Sequence, residues 1–264
     1  MECREILEVL NRVADVSFAC EWDNVGLLAG RMDKEVHRVT VALDADERAI
    51  EAAVTGGSEL LLTHHPLIFS PIRRVTDESL TGRRLLKLLR RDICLISMHT
   101  NFDIAPGCMA DLAADRLGLL SRKPLMVTGQ GREGAYGLGT VGSPREGSVT
   151  LEKLCAQVKE AFGLEAVQLY APFVQEDVTR IALCPGSGKD ALTPALTAGA
   201  QVLVTGDITY HCGVEAAAEG LAVVDAGHYG LEHIFIPFME AYLKKQLPAL
   251  SVDTVAIRHP SRFL

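Results

Sequence analysis

Short apolar runs alternate along this chain with stretches whose apolar residues recur every three to four positions. The first pattern predicts buried strands, and the second predicts amphipathic helices. Such an alternation of strands and helices is typical of α/β folds. The predicted strands are 38–43, 60–63, 93–97, 166–170, 178–184, 202–205 and 221–225, and the predicted helices are 6–13, 46–54, 81–91, 110–117, 151–162, 191–198, 214–219 and 231–246.

The stretch 121–148 breaks this rhythm, because it is rich in glycine, arginine and serine and has few long apolar runs. We interpret it as a connector that contains one edge strand at 136–141.

Three predicted strands of the first half have counterparts, in the same order, in the second half. The segment 38–43 is echoed by 179–183, 61–65 by 203–207, and 93–99 by 221–228. One such match would mean little, since strand–helix–strand units resemble one another, but three in order indicate an internal duplication. The chain then divides into two similar α/β halves, 1–124 and 125–264.

Composition narrows the class of protein. With 264 residues, 48% of them apolar, the chain can bury a large core, and its net charge of −8 disfavours a nucleic acid as partner. The seven cysteines form no C-x-x-C pair, which favours free thiols over a zinc ribbon. No apolar run approaches a membrane span, and the N-terminus lacks the pattern of a secretory signal, so we expect a cytoplasmic protein.

Histidines and carboxylates follow three of the predicted strands, at the ends where open α/β sheets bind ligands. Two adjacent histidines close the run at 60–65. Each of two later strands is followed by a histidine and a carboxylate four positions apart, a spacing that puts both on one face of a helical turn. Imidazole nitrogens and carboxylate oxygens are ligands of zinc, manganese and iron(II). The six residues are His64, His65, His99, Asp103, His228 and Glu232.

Together these residues predict a metal site, although a single histidine after a strand is more often structural. Five or six ligands exceed what one catalytic zinc ion uses. They fit two divalent ions that share a bridging carboxylate and activate a water molecule.

Three further features leave alternatives open. His211, after the strand 202–205, either lies near the site or is structural, and Asp207 either caps the next helix or joins the site. The glycine-rich segment 185–190 resembles a phosphate-binding turn, but it lacks the Walker spacing, so an ordinary strand-to-helix turn is favoured.

Five motifs spread over nearly the whole chain resemble those of the NIF-three-like dinuclear metal proteins, many of which carry the name GTP cyclohydrolase 1 type 2. The motifs are EWDNVGL at 21–27, THHPLIF at 63–69, HTNFD at 99–103, TGDITYH at 205–211 and DAGHYGLE at 225–232. Together and in this order they are highly specific.

The resemblance implies a fold of two similar α/β halves with a dinuclear metal site in the cleft between them, and a ring-shaped homohexamer built from dimers. It makes Glu232 the bridge between two ions and leaves His99 as a supporting residue. Longer members of the family carry an inserted domain, and 121–148 is where this chain lacks it. The implied metal ligands are His64, His65, Asp103, His228 and Glu232.

The activity implied by the family name is a hydrolysis. Two divalent ions (Zn, Fe or Mn) activate a water that opens the imidazole ring of the guanine of GTP and releases formate. His99 and His211 are the candidate catalytic residues for proton transfer. Two other functions stay open: a metal-binding regulatory or protein-interaction ring, and a phosphoesterase-type metallohydrolase.

Overall fold

The structure, a computed structural model, describes residues 1–132, 134–172 and 177–261. The helices are α1 (Cys3–Val13), α2 (Glu47–Gly56), α3 (Leu80–Arg90), α4 (Thr100–Ile104), α5 (Met109–Leu117), α6 (Leu151–Phe162), α7 (Leu192–Thr197), α8 (Tyr210–Ala218), α9 (His228–Glu232) and α10 (Phe235–Gln246). The strands are β1 (Gly26–Ala29), β2 (Arg38–Ala42), β3 (Leu60–Thr63), β4 (Cys94–Ser97), β5 (Leu120–Gly131), β6 (Gly134–Ser143), β7 (Gln168–Tyr170), β8 (Ile181–Ser187), β9 (Val202–Gly206), β10 (Ala222–Asp225) and β11 (Ser251–Thr254). Short 3-10 turns lie at Val16–Phe18 and Lys189–Ala191.

The chain forms two compact units, each with its own sheet. Unit 1 comprises Met1–Ala105 and Phe235–Ile257. Its five-stranded sheet has the order β1-β4-β3-β2-β11, in which the last four strands run parallel and β1 is antiparallel to β4.

Unit 2 comprises Pro106–Ile234 and Arg258–Leu264, as far as these are described. Its six-stranded sheet has the order β5-β6-β8-β9-β10-β7. The strands β8, β9 and β10 run parallel, whereas β7 is antiparallel to β10, and the β5–β6 hairpin joins β8 in antiparallel fashion. The expected mixed α/β fold is therefore confirmed.

The parallel strands form where apolar residues run without alternation. All four residues of β3 are buried, as are all four of β4, which is what a strand covered on both faces requires. The helix that precedes β3 shows the expected end signals. The Asp46 carboxylate accepts a hydrogen bond from the Ala49 amide at its start, and Gly57 ends it in the left-handed conformation.

The prediction for 121–148 was wrong. Apart from residue 133, which lies outside the described residues, the stretch 120–143 forms a long hairpin. Strand β6 lies between β5 and β8 and is therefore not an edge strand. The pattern was missed because β5 forms the edge of the sheet and is largely solvent-exposed, so its sequence needs no apolar run.

The single helix predicted at 231–246 was also wrong, because α9 and α10 are separate helices. Pro237 lies in the first turn of α10, where a missing amide hydrogen is tolerated. Continuous helix through this point would require a hydrogen bond from residue 237 to the His233 carbonyl, which proline cannot donate. The strands β1 and β11 were not predicted at all.

The predicted duplication concerns the three strands β2, β3 and β4 and their counterparts β8, β9 and β10. In both sheets these strands are adjacent and parallel, and an antiparallel strand follows on the side of the third. The duplication itself stays a prediction. The compact units differ from the predicted halves, because α5 belongs to unit 2, and α10 and β11 belong to unit 1 through the pairing of β11 with β2. Among the described residues, no helix has the length and apolar character needed to cross a membrane.

Candidate metal centre

The two adjacent histidines of unit 1 lie side by side because β3 has already ended. The amides of His64 and His65 both donate hydrogen bonds to the Leu43 carbonyl, at 3.1 and 2.9 Å. This turn replaces the alternation of a strand, which would have sent the two rings to opposite faces. Their ring centroids are 4.9 Å apart.

His99 and Asp103 join this pair from the next strand end. His99 precedes the first turn of α4, and Asp103 lies on that helix. The ring nitrogens of His64, His65 and His99 include a set of three that all lie within 4.8 Å of one another. An Asp103 carboxylate oxygen is 3.5 Å from Nε2 of His64. Unit 1 therefore brings together all four site residues that the sequence placed in it.

Each of the three imidazoles is held through its Nδ1 atom. Nδ1 of His64 contacts the Met98 carbonyl oxygen at 2.7 Å, and Nδ1 of His65 contacts the Asp44 carboxylate at 2.7 Å. A carbonyl or carboxylate oxygen can only accept, so a neutral ring carries its proton on Nδ1 and its lone pair on Nε2. Such outer partners fix the tautomer and the orientation of metal-binding histidines.

The third imidazole is held by Asp23, whose side chain is fully buried. Nδ1 of His99 donates to one carboxylate oxygen at 2.9 Å, and the amide and hydroxyl of Thr100 donate to the other at 2.9 and 2.6 Å. Burial alone would raise the pKa of the Asp23 carboxyl, but these hydrogen bonds outweigh it and lower that pKa to about 2. Asp23 is therefore an ionised partner for His99 at neutral pH.

Unit 2 places His228 and Glu232 one turn apart on α9. Nε2 of His228 is 3.0 Å from a Glu232 carboxylate oxygen, and Nδ1 of His228 contacts the Asp207 carboxylate at 2.7 Å. The Glu232 side chain is almost completely buried, an unusual position for a carboxylate unless a partner compensates for its lost hydration. A buried carboxylate beside an imidazole is also a donor pair that a divalent cation accepts.

Glycines clear the space around these two residues. A Cβ atom on Gly186 would lie 2.5 Å from a Glu232 carboxylate oxygen, and one on Gly206 would lie 2.5 Å from the His228 amide nitrogen. Gly186 also has a φ of +81°, which side-chain-bearing residues rarely adopt. Gly186 thus makes room for the Glu232 carboxylate and Gly188 for the Thr205 side chain, which explains the glycines of 185–190 without a phosphate.

The structure assigns a contact to Asp207 but does not test the role of His211. Asp207 does not cap α8; the Thr209 hydroxyl does, by accepting a hydrogen bond from the Cys212 amide, while Asp207 holds His228. His211 lies in the first turn of α8 and is exposed, with its ring 5.4 Å from that of Tyr210. A catalytic role for His211 stays a prediction.

Sequence reasoning missed two of the three carboxylates that hold imidazoles, Asp23 and Asp44, and left the role of the third, Asp207, open. Asp23 belongs to a motif that carried the family resemblance, but it lies 76 positions from His99, and no spacing rule links two such residues. The adjacency of strand ends was the only available signal: Asp44 follows β2 beside β3, and Asp207 follows β9 beside β10.

The donors of both units suit a divalent ion of the zinc, manganese or iron(II) type, because imidazole nitrogens and carboxylate oxygens are the ligands that these ions accept. In unit 1 the imidazoles are already oriented, and in unit 2 a buried carboxylate stands beside an oriented imidazole. The residues present therefore fit a metal.

Comparison with known proteins identifies the family. A family model described as Duf34/NIF3 (NGG1p interacting factor 3) matches residues 1–261. A Clostridium perfringens protein named GTP cyclohydrolase 1 type 2 homolog is 33% identical over 232 residues, which cover 88% of this chain and 87% of the relative. A Methanocaldococcus jannaschii protein of the same name is 32% identical over 249 residues, covering 94% and 96% of the two chains.

Solved structures agree with the sequence comparison. The structure described as reduced HcgD from Methanocaldococcus jannaschii has a TM-score of 0.83 and 30% identity, covering 96% of this chain and 97% of that one. A Bacillus cereus protein related to NIF3 has a TM-score of 0.89 at 21% identity, covering 100% and 99%, a likeness of fold alone. Because the family model matches residues 1–261 of its 264 residues, this chain belongs to the Duf34/NIF3 family.

Proposed function

We propose that this protein is a metal-dependent hydrolase that acts on a small molecule, and that its substrate is GTP or a closely similar nucleotide. The carrying observation is the group of three imidazoles in unit 1, each held through Nδ1, so that a neutral ring has its lone pair on Nε2, where it can bind an ion (His64, His65) or take up a proton (His99). The choice of GTP follows the name of the relatives, GTP cyclohydrolase 1 type 2 homolog.

The proposed ligands come from both units, with Glu232 as the bridge between two ions, as the family resemblance implies. In this assignment the carbonyl of Met98 and the carboxylates of Asp44 and Asp207 orient the imidazole ligands. Bound ions of this kind activate a water molecule for hydrolysis. The ligand set is His64, His65, Asp103, His228 and Glu232.

His99 is proposed to move a proton rather than to bind the ion. The ionised Asp23 carboxylate holds Nδ1 of His99, so that Nε2 can exchange a proton with substrate or water. His211 is the second proposed proton carrier, and its exposed position on α8 suits exchange with solvent. We keep the homohexameric ring and the cytoplasmic location as parts of the proposal that rest on family resemblance.

The proposal is tested by formate release from GTP, measured on purified protein reconstituted with Zn, Mn or Fe(II). We expect release by the wild type and none by the His65→Ala and Glu232→Ala variants, which should also lose metal by elemental analysis. The matched control is His37→Ala, which removes an exposed histidine whose ring lies 3.3 Å from the exposed Glu35 carboxylate.

Three results would contradict parts of the proposal. Absence of formate release with all three metals, while metal is bound, would leave a metal-binding regulatory protein. Release of phosphate in place of formate would identify a phosphoesterase. Failure of the reconstituted wild type to hold any metal would refute the metal site itself.

A further inference from the structure

Two large aromatic side chains of unit 1 lie exposed beside each other. Trp22 is 61% exposed and Phe69 is 55% exposed, and their ring centroids are 5.8 Å apart with the planes tilted by 57°. Scattered apolar residues on a surface need no explanation, but adjacent exposed aromatic faces commonly mark a site of contact with a ligand or partner.

The backbone on either side holds these two rings in place. The Asp23 amide closes a turn on the Cys20 carbonyl at 2.9 Å, and the Asp23 side chain is fixed by His99 and Thr100. The Asn24 side-chain amide then donates to the Ile68 carbonyl at 2.6 Å. This bond ties the segment that carries Trp22 to the segment that carries Phe69, so their juxtaposition follows from anchored main chain.

Both rings border the histidine group. The imidazole of His99 meets each of them edge-on, with centroid distances of 6.2 Å to Trp22 and 6.2 Å to Phe69. The His99 centroid is also 5.4 Å from that of His64 and 5.7 Å from that of His65. A planar molecule in contact with the two aromatics would therefore lie beside His99, whose ring is next to those of the candidate metal ligands His64 and His65.

We infer that Trp22 and Phe69 form a stacking platform that binds the heteroaromatic base of the substrate, parallel to one ring and in oblique contact with the other, and presents it to the histidine group. This inference rests on the proposed function, and it adds the residues that recognise the base. Aromatic side chains stack on the π-face of any base. The platform therefore selects planar heteroaromatic compounds as a class, and sugar and phosphate alone do not occupy it.

Trp22 is the only tryptophan of the chain, so its fluorescence reports on the platform directly. Excitation at the red edge of the indole band, where guanine hardly absorbs, avoids an optical artefact. We expect guanosine and GTP to quench the emission saturably, and ribose 5-phosphate and inorganic tripolyphosphate to leave it unchanged. Stacking on one aromatic face contributes roughly 5- to 150-fold to affinity, so Phe69→Ala should weaken guanosine binding by about tenfold or more.

Two control variants separate stacking from apolar contact and from nonspecific change. Phe69→Leu keeps an apolar side chain and loses the ring, so it should behave like Phe69→Ala. Val127→Ala removes an equally exposed apolar side chain, 62% exposed on β5, and should bind guanosine as the wild type does.

Failure of the platform is distinguishable from failure of the cyclohydrolase activity. Saturable quenching by guanosine without formate release would keep the platform and overturn GTP as substrate. Formate release with an unchanged KM in both Trp22→Ala and Phe69→Ala would overturn the platform and keep the activity. Quenching by tripolyphosphate equal to that by GTP would overturn the platform. Trp22 emission that changes on protein dilution but not on addition of guanosine would also overturn the platform, because it would indicate that a second copy of the chain covers the rings.

Discussion

The two units prepare their candidate ligands in different ways. In unit 1, three imidazoles are oriented by hydrogen bonds that they donate to the Met98 carbonyl and to the carboxylates of Asp44 and Asp23. In unit 2, one imidazole and one buried carboxylate lie on a single helical turn, in space that Gly186 and Gly206 leave open. Unit 1 therefore has three imidazoles with one polar partner each, whereas unit 2 has a single imidazole, held by Asp207, and also needs the space that its glycines leave open.

The largest effect should come from filling the space in unit 2. In Gly186→Ala the new methyl group meets the Glu232 carboxylate, and the backbone is strained in addition, so we expect the protein to lose bound metal. Gly220→Ala is the matched control, because Gly220 also has a positive φ, +89°, but no atom within 4 Å of its Cβ position. It should cost about 1 kcal/mol of stability by the strain alone and keep the metal.

Elemental analysis and urea denaturation of the two glycine variants distinguish clash from strain. Equal metal content in Gly186→Ala and Gly220→Ala would show that the clearance around Glu232 does not matter for binding.

The next largest effect is the loss of metal affinity when the carboxylate that holds an imidazole is replaced in either unit. Asp207→Asn and Asp44→Asn each weaken the support of one ring, and such changes typically cost about 10- to 100-fold in metal affinity. We expect the larger loss for Asp207→Asn, because His228 is the only imidazole among the proposed ligands of unit 2, whereas His64 keeps its own anchor in unit 1. Competition with a chromophoric chelator measures both; a larger loss for Asp44→Asn would reverse the comparison.

A smaller effect concerns the stability of unit 1 in acid. The folded-state pKa of Asp23, about 2, is lower than its ordinary value of 3.8. Ionised Asp23 therefore contributes stability above about pH 4, and this contribution is lost as the pH falls towards 2. The difference corresponds to about 2 kcal/mol, to order of magnitude.

Denaturation of metal-free protein at pH values from roughly 5 down to 2 tests this contribution, because carboxyl groups titrate in about this range. The wild type should lose stability as the pH falls, and Asp23→Asn should lack the part of this loss that comes from protonation of Asp23. If both proteins lose stability in parallel, the Asp23 hydrogen bonds do not stabilise the folded state.

The smallest effect separates capping from imidazole support at the start of α8. Thr209→Ala removes the N-cap hydroxyl and should lower stability by about 1 kcal/mol without changing metal affinity. Asp207→Asn should lower metal affinity and leave the stability unchanged. Circular dichroism melts measure the stability of the two variants, and chelator competition measures their metal affinity. Release of the metal by Thr209→Ala would contradict this assignment.

Much of the site was predictable because its residues follow local rules. The end of β3 was marked by the run of apolar residues before His64, and the spacing of His228 and Glu232 placed them on one helical turn. The outer partners were not predictable in this way. Asp23 reaches His99 through the tertiary fold, and a sequence pattern carries no information on such a contact.

The fold shows the same division between local and long-range information. Buried parallel strands such as β3 and β9 can be predicted from their continuous runs of apolar residues. The hairpin β5–β6 does not, because β5 is an exposed edge strand with little to bury. Strand β11 is short and half-buried, and its place beside β2 depends on a pairing across more than two hundred residues.

That late pairing has a consequence for how the chain is made. All six strands of the unit 2 sheet lie between residues 120 and 225, so this sheet can be completed during synthesis. The unit 1 sheet, by contrast, leaves β2 as an open edge until residues 251–254 emerge from the ribosome. Ribosome-bound chains should therefore protect unit 2 from proteolysis first, and a chain cut short before β11 should expose an edge strand prone to aggregation.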